Sequence, residues 1–197
     1  MYDRQNRVTR LQQAMTLLGI QTIKNVVILV TCTSVFRKQA GSRFYAQFWK
    51  HSLATAFVAR DLCTQLVQPE MAEEAFIAGL LHNIGQAALY LHDSVGYEMI
   101  VTEVTKSGRR YSEMEQPLYG TTHREIGHEV LTAWNFPARY ADCAREHGNA
   151  NIVSPAKRLI LTVSVAAFVA ANWYQYSVEP KAWSLMDPIL SQLGYSS

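Results

Sequence analysis

The sequence predicts an all-α fold, a compact bundle of several helices, from three observations. Its 197 residues are 49% hydrophobic and 17% charged, which is typical of a folded chain with a substantial core. Apolar residues recur at spacings of three and four along nearly every segment, as they do on one face of a helix. No segment of useful length alternates apolar and polar residues in the manner of a half-buried strand.

Two helices are predicted before residue 37. The first ends near Leu18, where Gly19 can act as a C-terminal stop. Thr22 can cap the second, which continues toward Phe36. The β-branched run NVVILV within it is equally compatible with a buried strand. Because the sequence offers no partner strand, we favour the helix.

A third, longer helix is predicted to begin at Ser42, and His51 belongs to its inward face. Pro69 suits the first turn of a fourth helix, with glutamates near its positive end. This fourth helix is predicted to run without interruption through His82 toward Leu91. The inward stripe of the third helix consists of Phe44, Phe48, His51, Thr55, Val58, Leu62 and Leu66.

Further helices are predicted in the second half of the chain. Thr122 and Glu125 have the spacing of a capping box, which opens a helix ending around Trp134. Pro137 can open the next helix, which continues to about residue 146, and Pro155 can open the last long one. The segment 107–120 is predicted to be a loop or a short helix, because it is polar and contains glycine and proline.

Composition also limits the function classes. The net charge of +2 is too small to indicate a nucleic-acid or membrane-surface partner. Residues 159–178 carry no charge and are long enough to span a bilayer, but their polar and alanine content favours a buried helix in a soluble protein. Cys32, Cys63 and Cys143 show no CxxC spacing, so we expect neither disulfides nor a zinc site, and a cytoplasmic location.

Four histidines on different predicted helices or helix ends, His51, His82, His123 and His147, could converge in the core of a bundle. Imidazole suits transition metals, but a hydrolytic metal site also needs anionic ligands, and Asn83 offers only a neutral amide. A histidine on an inward helical face is more often a hydrogen-bonded core residue than a ligand. We therefore favour a structural role for His51 and His82, with Asn83 bonded to His82 or to the backbone.

Five stretches in order carry a resemblance to a known family: LQQAMTLLGIQTIKNVVI, FWKHSLATAFVAR, EEAFIAGLLHNIG, HREIGHEVLTAWNFP and AREHGN. GLLHNIG resembles the GLLHDIG signature of the HD metal-dependent phosphohydrolases, and the set resembles the HD-related output domain (HDOD) family of bacterial signalling proteins. The resemblance implies a helical bundle of the HD type. We expect an HDOD-like domain over residues 1–178, its N-terminal helical subdomain short or missing, and a C-terminal extension at 179–197 with one short helix.

The resemblance assigns the four histidines to metal-ligand positions of HD enzymes, but three further positions depart from that pattern. Asn83 replaces an aspartate, Gly148 replaces the second histidine of a His-His pair, and Ala167 stands where an aspartate usually does. Losing two anionic ligands and an imidazole should abolish both tight metal binding and catalysis. We expect no cofactor, or at most a weakly held divalent metal at this vestigial site.

The resemblance thus implies a non-enzymatic output or scaffold module whose partners are signalling proteins, sensor or output domains, or a second copy of the chain. DNA and membranes are not expected partners: a helix-turn-helix-like segment near residue 20 offers few basic residues. The alternative is a phosphohydrolase acting on a nucleotide or cyclic dinucleotide, in which Glu125, Glu129 or Glu146 would supply the missing charge. Candidate phosphate contacts are Lys106, Arg109 and Arg110.

Overall fold

The computed structural model describes residues 42–149, 151–172 and 186–194, and within these ranges it contains helices and no strand. This confirms the all-α prediction for the described part of the chain. The two helices predicted before residue 37 lie outside it. The helices are α1 (Arg43–Leu62), α2 (Ala72–Leu81), α3 (Ile84–His92), α4 (Ser94–Ser107), α5 (Tyr111–Tyr119), α6 (His123–Ala133), α7 (Ala138–Glu146), α8 (Lys157–Asn172) and α9 (Asp187–Leu193).

Helix α1 begins where the sequence predicts, because the Ser42 hydroxyl accepts a hydrogen bond from the Tyr45 backbone N–H at 3.0 Å. Phe44, Tyr45 and Phe48 in its first turns are buried in the core. Helix α1 packs against α2 and α8. Its approach to α2 is close: a Cβ atom added to Gly79 would lie 2.8 Å from the Cα of Ala56. The glycine is therefore needed for the packing of these two helices.

The prediction of one continuous fourth helix is wrong. Helix α2 ends at Leu81 and α3 begins at Ile84, and between them Asn83 leaves the helical region with φ −106° and ψ 16°. The His82 ring nitrogen Nδ1 lies 2.7 Å from the Gly79 carbonyl oxygen, so a side chain binds a carbonyl of the last turn. Helix α3 then packs closely on α6.

Between residues 92 and 120 the structure contains two helices, whereas the sequence predicted only a loop or a short helix over 107–120. Helix α4 occupies residues to which the sequence pattern assigned no element; Asp93 caps it by accepting the Gly96 N–H at 2.9 Å. Gly108 ends it in the left-handed conformation, with φ 69°. Helix α5 occupies most of the segment predicted to be a loop or a short helix.

The predicted capping box of α6 is confirmed: Thr122 accepts from the Glu125 N–H at 3.4 Å, and the Glu125 carboxylate accepts from the Thr122 N–H at 2.9 Å. Helix α7 follows Pro137, as predicted. The C-terminal helix α9 packs against α8. None of the helices in the described ranges is both long and apolar enough to cross a bilayer.

Candidate functional site

The four histidines line one cavity of about 430 Å³. His51 lies on α1, His82 in the break between α2 and α3, His123 at the start of α6, and His147 directly after α7. The ring centroids are 5.2 Å apart for His51 and His82, 5.0 Å for His82 and His147, and 5.8 Å for His123 and His147. The convergence that the sequence left open is therefore present, and it joins four separate parts of the fold.

Hydrogen bonds determine the tautomers of three of these histidines. Nδ1 of His82 lies 2.7 Å from the Gly79 carbonyl oxygen, and Nδ1 of His147 lies 2.9 Å from the Ala144 carbonyl oxygen. Nδ1 of His123 lies 2.6 Å from a carboxylate oxygen. Since these oxygens accept, each Nδ1 carries a proton, and the neutral rings of His82 and His147 keep a lone pair on Nε2. Nε2 of His82 is buried and has no hydrogen-bond partner within the described ranges.

Burial keeps most of the cluster uncharged. Desolvation, with the nearby His51 and His123 rings, lowers the pKa of His82 to about 3. Desolvation also lowers the pKa of His147 well below its usual value, and the neighbouring His82, His123 and Arg124 act in the same direction. Burial lowers the pKa of His51 as well. These three imidazoles are therefore neutral at pH 7 and offer lone pairs rather than positive charge.

Glu115, on α5, is a buried carboxylate beside the cluster that the sequence analysis did not select. One carboxylate oxygen accepts from the Tyr97 hydroxyl at 2.6 Å, and the other accepts from the His123 backbone N–H at 2.8 Å and from its Nδ1–H. Burial alone would raise the Glu115 pKa, but the bonds from His123 and Tyr97 outweigh burial and lower it. A single glutamate in a segment predicted to be a loop or a short helix carries no sequence signal of this role.

The donor set does not fit a hydrolytic metal centre. Within the described ranges, no group of three or more histidine, cysteine, aspartate or glutamate residues is placed to bind one ion. The Asn83 side-chain oxygen Oδ1 is buried and has no hydrogen-bond partner in the described ranges. The predicted hydrogen bond from Asn83 to His82 or to the backbone is therefore not made through Oδ1. Ala167 lines the cavity with a methyl group. Neutral imidazoles and an amide lack the anionic ligands that such a centre requires.

None of the three glutamates considered as substitute ligands lines the cavity. Glu125 is exposed and caps α6, and Glu129 is exposed on the same helix. Glu146 accepts from the Asn149 side chain at 2.8 Å and lies 3.4 Å from Arg145. None of these three carboxylates therefore lies where the phosphohydrolase alternative needs a ligand.

Of the three basic residues considered for phosphate contacts, Arg110 lines the cavity, whereas Lys106 and Arg109 do not. Arg109 lies 3.5 Å from Glu113, and Lys106 is exposed in the last turn of α4. Arg124 also lines the cavity, and sequence reasoning missed it. Its Nη1 donates to the Asn149 side-chain oxygen at 2.8 Å.

The helical bundle and its clustered histidines define a domain of the HD type. The chain matches the HDOD domain over residues 1–150, which is most of its length, and it belongs to the HDOD family. The recognition of this family from the five sequence motifs is therefore confirmed.

Solved structures share the fold. A "Putative phosphohydrolase" from Shewanella amazonensis SB2B is 25% identical, with a TM-score of 0.70 over 92% of this chain and 65% of that one. An HDOD domain protein with unknown function from Geobacter sulfurreducens is 20% identical, with a TM-score of 0.67 over 94% of this chain and 66% of that one. The MmoQ response regulator from Methylococcus capsulatus str. Bath is 21% identical, with a TM-score of 0.58 over 77% and 62%.

A curated relative, an uncharacterised protein of Treponema pallidum (strain Nichols), is 24% identical over 164 residues. The match covers 81% of this chain and 31% of that protein. The chain thus spans about a third of this curated relative and about two thirds of the first two solved structures.

Proposed function

We propose that this chain is a non-enzymatic output or scaffold domain of bacterial signal transduction, which acts through protein-protein contacts. The observation that carries the proposal is the chemistry of the cavity. By the resemblance, Asn83 and Ala167 stand where an HD hydrolase has carboxylates, and Glu115, a buried carboxylate nearby, already accepts three hydrogen bonds. Without anionic ligands, a divalent ion is neither held tightly nor able to activate water.

The histidines serve this domain as structural links. His123 joins α6 to α5 through Glu115, and His82 binds the carbonyl of Gly79 at the α2–α3 break. Because these Nδ1 hydrogen bonds are buried, they stabilise one arrangement of the helices around the cavity. The fold of the MmoQ response regulator supports a signalling role. The partners would be other signalling proteins, sensor or output domains, or a second copy of the chain.

Metal content tests the proposal. The chain is purified without chelator, incubated with Mn²⁺ or Fe²⁺, desalted and measured by plasma mass spectrometry. We expect far less than one metal ion per chain, no phosphate release from nucleotides, and no conversion of cyclic dinucleotides to linear products. Near-stoichiometric metal that disappears in a His51→Ala, His82→Ala variant would contradict the proposal and favour the phosphohydrolase.

A variant that restores carboxylates provides a positive control. Asn83→Asp with Ala167→Asp returns two anionic ligands to the cavity wall, so metal content should rise above that of the natural chain. Gly148 is left unchanged because its φ of 76° disfavours a side chain. The matched variant Gln116→Glu adds an exposed carboxylate on α5 and should leave metal content at the starting level.

A further inference from the structure

Two arginines, Arg110 and Arg124, line the histidine cavity from neighbouring helices. Arg110 directly precedes α5 and is exposed, whereas Arg124 is the second residue of α6 and is half-buried. Burial lowers the pKa of Arg124, and the positive charge of Arg110 lowers it further, against the opposing effect of Glu115 and Glu146. Two guanidinium groups therefore repel each other at one cavity, and an anion between them would relieve that repulsion.

Arg124 has a hydrogen-bond donor that a ligand could use. Its Nη1 donates to Asn149, but its Nε–H is buried and has no acceptor among the described residues. A buried donor on a charged group that makes no hydrogen bond is costly, and an oxyanion in the cavity would satisfy it.

Gly148 leaves room for this arginine. A Cβ atom at residue 148 would lie 3.1 Å from Nη2 of Arg124, which is closer than ordinary van der Waals contact. At the position where the HD resemblance implies a second ligand histidine, the chain thus has no side chain, and a guanidinium lies beside the vacated space. A guanidinium therefore lies next to the position at which the HD resemblance implies an imidazole.

The rest of the wall suits a small organic molecule. His82 Nε2 and Asn83 Oδ1 are buried acceptors without a hydrogen-bond partner in the described ranges. Phe48 and Tyr111 add aromatic surface to the lining. A volume of about 430 Å³ lies within the range of small-molecule sites. The cavity therefore combines acceptors, aromatic walls and two cations.

We infer that this cavity binds a small phosphate monoester without a metal, with its phosphate on Arg124 and Arg110 and its hydrogen-bond donors toward His82 and Asn83. Guanidinium forks match phosphate oxygens, and a phosphate monoester carries about −1.5 to −2 charges at pH 7, which two arginines offset. The inference rests on the proposed function, since it takes the cavity to lack a catalytic metal.

Calorimetric titration with phenyl phosphate tests the inference. The protein is stripped of metal and then desalted, because a chelator is itself a polyanion. We expect binding that weakens as salt is added. Affinity should fall at least about tenfold in Arg124→Gln and in Arg110→Gln, since each removes a charge-assisted contact. Benzoate, which has the same ring but a single charge, should bind more weakly than phenyl phosphate.

Arg109→Gln is the matched control, because Arg109 adjoins Arg110 in sequence, pairs with Glu113 and does not line the cavity. It should keep the natural affinity. Arg124→Lys keeps the charge without the fork and should bind with intermediate affinity, which separates a lost contact from a lost fold. Circular dichroism confirms that each variant remains helical.

The outcomes separate this inference from the proposed function. Absence of phenyl phosphate binding, with or without added Mn²⁺, overturns the inference and leaves the proposed function standing. An equal loss of affinity in Arg109→Gln also overturns it, since the effect would then be one of general surface charge. Binding only in the presence of Mn²⁺, with release of phenol, would overturn both.

Discussion

The replacement Glu115→Gln tests whether a buried carboxylate holds His123 in the cavity wall. In the natural chain the carboxylate accepts three hydrogen bonds, from the Tyr97 hydroxyl and from the backbone and ring N–H groups of His123. A glutamine can keep its oxygen toward His123 and turn its NH₂ group to the Tyr97 hydroxyl, which can rotate to accept. The number of bonds is then preserved, and the negative charge is lost.

The magnitude follows from that count. A hydrogen bond to a charged group contributes about 1.5–3 kcal/mol and a neutral one about 0.5–1.5 kcal/mol. Three bonds that each weaken by about 1 kcal/mol would cost about 3 kcal/mol in total. Removing a buried charge offsets part of this, so we expect a net loss of about 2 kcal/mol in unfolding free energy. Glu115→Ala, which leaves three donors without an acceptor and creates a cavity, should cost about 4 kcal/mol or more.

Urea denaturation at several pH values measures the effect. Because the folded-state pKa of Glu115 is lowered, its stabilisation is present above the unfolded value of 4.5 and is lost as pH falls through the folded value. The difference in unfolding free energy between the natural chain and Glu115→Gln should thus be largest at pH 7 and shrink in acid. The exposed control Glu129→Gln should stay within about 0.5 kcal/mol. A Glu115→Gln variant of natural stability at pH 7, or a gap that widens in acid, would refute the reasoning.

Two further predictions concern the α3–α6 contact and the neutral cluster. Gly85→Ala should destabilise the fold by about 3 kcal/mol or more in thermal unfolding, since its Cβ would overlap the His123 carbonyl oxygen and lie 2.6 Å from the Gly127 nitrogen. Gly127→Ala, with its nearest obstacle 3.3 Å away at Ala144, should stay within about 1 kcal/mol. With its pKa near 3, His82 should remain neutral in NMR spectra down to pH 4. As pH falls below 6.5, His82 takes up a proton in the unfolded chain but not in the folded one, so the unfolding free energy should decline by up to about 1.4 kcal/mol per pH unit. Titration of His82 near pH 6 in the folded protein would contradict this prediction.

Local sequence signals determined where several helices in the described ranges begin. Three of these signals are Ser42, the Thr122–Glu125 pair and Pro137. Each acts on the helix turn that follows it, so its effect can be predicted from the local sequence alone. The motifs likewise identified the HDOD family. Residue identity at a motif position does not depend on packing.

Tertiary structure decided the features that depend on contacts between residues far apart in the sequence. The helix break at His82 lets α3 pack on the backbone of α6, a contact between segments about 40 residues apart along the chain. Glu115 became part of the site because α5 packs between Tyr97 and His123. Arg124 reached the cavity beside Gly148, 24 residues further along the chain. Such contacts arise from packing between helices, which no local pattern of residue types specifies.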